Sequence, residues 1–198
     1  MREKFLESIE VKNQIVASDQ LDNLKLIGDQ VTDTILSGGK LMICGNGGSA
    51  ADAQHLVAEL LVRLRPAINR KGVPALTLAQ DTSTITACAN DYSYDFIFER
   101  VLDTMGCKGD SLLSITTSGN SNNIYNAMIK GKEMKIKLFG FLGGDGGKVK
   151  DLCDNYFLVP SKNTARIQES HITAGHVLME YIEDRLIENE YLEVDKIK

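Results

Sequence analysis

Lys40-Leu-Met-Ile-Cys-Gly-Asn-Gly-Gly-Ser49 runs from a short apolar stretch directly into glycines and ends on a hydroxyl. A brief apolar run closed by glycine reads as a buried strand entering a tight loop. Residues 50–64 then return to helical spacing, with Leu56, Val57, Leu60, Leu61 and Leu64 on one side. The same order of strand, small-residue loop and helix recurs downstream. Ser111–Thr116 is followed by Thr117-Ser-Gly-Asn-Ser121 and a helix through Ala127 to Met134. Lys137–Leu142 is followed by Gly143-Gly-Asp-Gly-Gly147 and the stretch Val149 to Leu152. Ala75–Leu78, with a helical segment from Thr82 to Ala89, makes a further unit, and Tyr156–Val159 is a last strand before Pro160.

Two helical runs precede this series within residues 2–37, one marked by Phe5, Ile9, Ile15 and Val16, the other by Leu24, Ile27, Val31 and Ile35, with Gly38-Gly39 as the stop. Residues 164–189 form a long closing helix. Strands that alternate with helices predict an α/β chain, a three-layer doubly wound sandwich around a parallel sheet. Ligands in such folds sit beyond the carboxyl ends of the strands, near a topological switch point. At 198 residues the chain suits a single domain, 1–198.

The balance of 43% hydrophobic and 25% charged residues is that of a soluble globular domain. A net charge of -5 without a Lys/Arg block disfavours a nucleic-acid surface. Any anionic ligand must therefore be held by local groups such as backbone N–H, helix N-termini or a metal. Cys44, Cys88, Cys107 and Cys153 show no paired spacing, which suits a reducing cytoplasm. No stretch approaches a membrane span, and the N-terminus lacks the apolar core of a leader.

Two of the loops could hold a phosphate. Ser49 with Asp52 three residues on resembles a capping box, so the first loop is either a plain capped turn or an anion site built on free N–H groups. Thr116-Thr-Ser-Gly-Asn-Ser121 is richer, with four hydroxyls in six residues at a strand-to-helix junction. Each hydroxyl can donate to a phosphate oxygen, although such turns also occur without a ligand. Neither a P-loop ending nor G-x-G-x-x-G spacing is present, which excludes the common nucleotide and dinucleotide sites. Gly143–Gly147 carries no hydroxyl and reads as structural.

His55, His171 and His176 are the only three histidines. His55 and Glu59 lie four apart, on one helix face. They are either a solvated pair or a metal or acid/base pair. Ala51 and Val62 share that stripe and suggest that it borders the packed side. His171 and His176, five apart, are separated by ~140° on a helix and cannot face the same site. Gln168, in Arg166-Ile-Gln-Glu169, would ordinarily be an exposed polar side chain.

Taken in order, Gly45-Asn-Gly-Gly-Ser49, the helix with Asp52, His55 and Glu59, then Asn90-Asp91, Thr117-Ser-Gly-Asn-Ser121, and Arg166-Ile-Gln-Glu169 with His176 resemble the motif series of the phosphoheptose isomerases. The resemblance spans nearly the whole chain. It implies a cytoplasmic homotetramer built on one SIS (sugar isomerase) domain, with residues 1–37 packing in the oligomer. It implies an aldose–ketose isomerase that turns sedoheptulose 7-phosphate into D-glycero-D-manno-heptose 7-phosphate for lipopolysaccharide or related surface polysaccharide. Matched by position, phosphate ligands fall on Ser49, Thr116, Thr117, Ser118 and Ser121. Sugar contacts fall on Asn46, Gly47, Gly48, Glu59, Asn90, Asp91 and Gln168, and the acid/base pair on Glu59 and His176. Zinc ligands match His55, Glu59, Gln168 and His176. Ala165 departs from the pattern, since some members carry Asp there.

A non-catalytic relative that binds a phosphosugar or the replication initiator is the alternative, and the full set His55, Glu59, Gln168 and His176 argues for the enzyme. Gln168 and His176 are eight residues apart, ~12 Å of rise in a continuous helix. Zinc–ligand bonds are ~2 Å, so for both to reach one ion either the helix is broken between them, where Gly175 could loosen it, or the site is shared between chains. Ile167, Ile172, Met179 and Ile182 keep a helical pattern through Gly175 and favour the shared site.

Overall fold

The computed structural model describes residues 1–79 and 81–194. Five strands, β1 (Leu41–Gly45), β2 (Ala75–Thr77), β3 (Ser111–Thr116), β4 (Lys137–Gly143) and β5 (Asn155–Val159), form one sheet in the order β2-β1-β3-β4-β5. Every pairing is parallel, with Leu41 beside both Ala75 and Ser111, and Phe139 beside Asn155. Parallel neighbours need crossovers, and the intervening helices supply them on both faces.

Side-chain alternation along the strands assigns the layers. Leu41, Ile43, Leu113, Ile115, Phe139, Phe141, Phe157 and Val159 point to one face. There they meet α1 (Arg2–Val16), α2 (Gln20–Leu36), α3 (Gly48–Ala58) and α7 (Thr164–Glu188). Met42, Cys44, Leu112, Leu138 and Leu142 point to the other, against α4 (Thr82–Asp91), α5 (Ile97–Met105) and α6 (Asn122–Glu133). The result is the three-layer sandwich expected from the alternating pattern.

The chain departs from its sequence reading in places with clear causes. The α1–α2 connection breaks the N-terminal helical segment at Ala17–Asp19. Within α1 only Val11 and Ile15 are buried, while Phe5, Ile9 and Val16 stay exposed. Residues 97–105, to which the strand–loop–helix pattern assigned nothing, form α5, whose Ile97, Phe98, Val101 and Leu102 make a buried helical stripe. The helix over 50–64 begins at Gly48 and widens into a π-helical turn over Glu59–Arg63. Ser49 does not cap it: the N-cap position is Gly47 at φ 57°, with no side-chain bond.

Gly175 is not a break in α7, which is continuous through it. A Cβ there would lie 2.7 Å from both methyl carbons of Leu56. The missing side chain lets α7 approach α3 closely, bringing the neighbours of Gly175 and Leu56 together. Among the described residues no helix is long and apolar enough to cross a membrane.

Candidate functional site

The strand order changes direction between β1 and β3, so the loops leaving these strands flank the crevice at the switch point. A small cavity of about 70 Å³ lies there, lined by Asn46, Ser49, Thr116, Thr117, Ser118, Ser121 and Gln168. Two helices begin at its wall, α3 after Gly47 and α6 after its N-cap residue Ser121. The partial positive charge at their N-termini favours an anion, although in the first turn of α3 the N–H groups of Ser49, Ala50 and Ala51 are already taken by the Asn46 and Gly47 carbonyls.

The hydroxyls are poised as donors. The Thr116 oxygen accepts from the Gly119 N–H at 3.1 Å, and the Ser118 oxygen accepts from the Asn120 N–H at 3.2 Å. Their protons are then free for another acceptor. Ser121 makes no capping bond to its own helix. Gly119, at φ +65°, needs its freedom twice over, because a Cβ would fall 1.8 Å from the Gly146 carbonyl oxygen. The Gly143–Gly147 loop is thus the backing of the hydroxyl loop. Val149 N–H donates to the Gly119 carbonyl at 3.1 Å, and Lys148 N–H to Asn120 Oδ1 at 3.2 Å.

Sequence reasoning missed Asn123 and Tyr94. Asn123 is buried and exchanges two 2.9 Å amide bonds with Asn46, while the Tyr94 hydroxyl donates to Asn46 Oδ1 at 3.0 Å. This ties the first glycine loop to α6. The only available signal was an amide in the first turn after the hydroxyl loop, and Asn is too common there to single out.

Farther along α3 and α7 is a second cluster. His55 Nε2 is 2.8 Å from His176 Nε2 and 3.3 Å from Glu59 Oε1. One donor atom from each of the three lies within 4.8 Å of the others. The stripe does not border the packed side as Ala51 and Val62 suggested. Both are exposed, and Val62 is 71% accessible. Two imidazoles and a carboxylate are a familiar zinc set. Asp52 adds to the case. Its Oδ2 is buried without a hydrogen-bond partner. Burial raises its pKa above the ordinary carboxylate value, countered by the nearby His55 and His176. Its charge interacts with both imidazoles from outside the three converging donors and adds negative potential beside them, so the residues present fit a divalent metal.

The remaining candidates fall elsewhere in the chain. Gln168 lies against Gly48, where a Cβ would sit 2.7 Å from its amide nitrogen, and lines the hydroxyl cavity rather than the histidine cluster. Asn90 donates to Asp91 at 2.9 Å at the exposed end of α4. Asp91 lines a separate cavity of about 430 Å³ with Tyr92 and Arg100. Arg166 is bound to Glu169 and to the Lys4 carbonyl, which makes it a tie between α7 and α1. His171 is buried and bonds the Leu142 carbonyl at 3.0 Å, away from the cluster, as the ~140° separation requires.

The SIS domain family matches residues 4–143. The phosphoheptose isomerase of Leptospira biflexa is 46% identical over 180 residues, covering 91% of this chain and 92% of that protein. Two solved structures are close in shape. The phosphoheptose isomerase of Neisseria gonorrhoeae has a TM-score of 0.86 at 34% identity, covering 92% of this chain and 96% of its own. That of Francisella tularensis has a TM-score of 0.88 at 33% identity, with the same coverage of 92% and 96%. With the match extending through both clusters and nearly end to end, the chain belongs to the phosphoheptose isomerase family of SIS-domain proteins.

Proposed function

We propose that this chain is an aldose–ketose isomerase that converts sedoheptulose 7-phosphate to D-glycero-D-manno-heptose 7-phosphate, supplying heptose for lipopolysaccharide or related surface polysaccharide. One observation carries this beyond family membership: the same two helices, α3 and α7, contribute to a hydroxyl-lined anion cavity and to a carboxylate–imidazole cluster. A phosphosugar needs both, one for its charged end and one for its reacting end.

Ser49, Thr116, Thr117, Ser118 and Ser121 take the phosphate, and Asn46, Gly47, Gly48, Asn90, Asp91 and Gln168 the sugar. The Glu59 carboxylate removes a proton from C1 of the ketose while O2 gains one, giving the enediol. Glu59 then returns a proton to C2 as O1 loses its own. His176 carries the hydroxyl proton between O1 and O2. Atoms and electrons balance without a co-reactant. His55, Glu59 and His176 would hold zinc, with Gln168 as a fourth ligand contributed by a neighbouring subunit. When bound, zinc supplies polarisation of the substrate carbonyl.

A homotetramer is proposed with it. Phe5, Leu6, Ile9 and Val16 expose an apolar face on α1 that suits burial between subunits, consistent with residues 1–37 packing in the oligomer. Four unpaired thiols accord with a cytoplasmic setting. The test is NMR of purified protein with sedoheptulose 7-phosphate, watching for an aldose anomeric signal. Glu59→Gln keeps size and loses the base, and should slow turnover by about 10²–10⁴. Near-wild-type turnover in the folded variant would sink the assignment.

A further inference from the structure

Glu59 opens the π-helical turn Glu59–Arg63, and the backbone of that turn is gripped by a buried ion pair. The Arg70 guanidinium donates through Nη2 to the Glu59 carbonyl at 3.0 Å and through Nη1 to the Leu60 carbonyl at 2.9 Å. Its Nε donates to Glu183 Oε1 at 2.5 Å, and the two side chains are each 1% exposed. The other Glu183 oxygen accepts from Arg65 Nε at 2.6 Å.

Glu183 stands seven residues beyond His176 on α7. Seven residues are ~20° short of two full turns, so the two side chains share one stripe of the helix. That stripe touches the α3 arm twice: His176 meets His55, and Glu183 reaches the Glu59 backbone through Arg70. A buried ion pair adds little stability over well-packed apolar residues. A planar guanidinium with donors fixed in a fork can instead set a backbone position through several contacts at once. π-turns occur often at functional sites, where the altered phase re-aims a side chain.

We infer that Arg70, anchored by Glu183, is a positioning residue that holds the π-turn so that Glu59 faces His176. The inference rests on Glu59 being the base. Arg70 touches only the backbone of Glu59, and its action is on geometry.

The test uses the full-length protein and compares Arg70→Lys, Glu183→Gln, Glu59→Gln and the double variant Arg70→Lys with Glu59→Gln. For each, kcat and KM with sedoheptulose 7-phosphate, affinity for inorganic phosphate, and Tm are measured. Misplacing a catalytic group by about 1 Å can lower the rate by about 10²-fold. Arg70→Lys, which keeps the charge but not the fork, and Glu183→Gln are each expected to lower kcat by about 10–100-fold. KM and phosphate affinity are expected to stay within about twofold, since the phosphate cavity is built on other segments. The double variant is expected to be no slower than Glu59→Gln alone, because both act through one group. Unchanged kcat in the folded variants, a loss appearing mainly in phosphate affinity, or additive losses in the double variant would overturn the inference. So would failure of both Arg70→Lys and Glu183→Gln to fold, which would make the pair a stability element. Near-wild-type turnover in Glu59→Gln would be a different failure: it removes the base and the positioning role with it.

Discussion

His171 makes stability depend on pH in a way that can be worked out from its surroundings. It is 1% exposed, its Nε2 donates to the Leu142 carbonyl, and its Nδ1 is buried with no partner. Protonating Nδ1 would strand a charge in the core, so burial depresses the pKa from 6.5 to about 4. The unfolded chain therefore binds the proton more readily than the folded one. Stability from this residue is fully present above pH ~6.5, falls as pH drops below that value, and levels off below pH ~4. A displacement of that size corresponds to about 3 kcal/mol in all, of which about 2 kcal/mol is lost between pH 7 and pH 5. Urea unfolding of wild type and His171→Gln at the two pH values isolates the effect, because other titrating groups are common to both. Wild type should lose about 2 kcal/mol more than the variant. Equal losses would refute the claim that this imidazole is buried neutral. Gln is chosen because its amide can still donate toward Leu142.

Three further outcomes are expected. Ser118→Ala with Ser121→Ala should weaken binding of both substrate and inorganic phosphate by roughly 1.5–3 kcal/mol per lost bond; titration showing neither change would put the phosphate elsewhere. Mixing inactive Gln168→Ala and His176→Ala proteins under subunit exchange should restore some activity if one site draws on two chains, and no recovery with exchange proven by mass spectrometry would refute sharing. Cys107, the exposed cysteine, should be alkylated by iodoacetamide first, whereas burial pushes the thiols of Cys44 and Cys153 up to about 12; peptide mapping with Cys44 labelled first would contradict the packing.

The parallel sheet was legible because its strands are short apolar runs punctuated by small residues, a pattern set by local backbone demands. The π-turn was not legible, because Glu59-Leu-Leu-Val-Arg63 keeps ordinary helical spacing and the widening depends on Arg70 and Glu183, one nearby and one distant in sequence. The reading of Ser49 as a cap failed for a related reason. Gly47 takes a conformation that starts the helix earlier and turns the serine into the core. His171 and His176 were separable from helix geometry alone. The contact between His176 and His55 was not, since it depends on how closely α7 approaches α3 at Gly175.

The wall of glycines behind the hydroxyl loop has an evolutionary consequence. Gly119 and Gly147 leave no room for a side chain, since a Cβ on Gly147 would lie 2.6 Å from the Gly119 carbonyl group. The anion end cannot be enlarged from behind, one mutation at a time, without breaking the contact that shapes it. The Asn90–Tyr94 segment is mostly exposed and meets the rest of the site through the Tyr94–Asn46 bond. Variation there is cheap. A lineage that drifts toward a different phosphosugar should therefore change at 90–94 and leave 116–121 and 143–147 alone, keeping its hold on the charged end while the preferred carbon skeleton shifts.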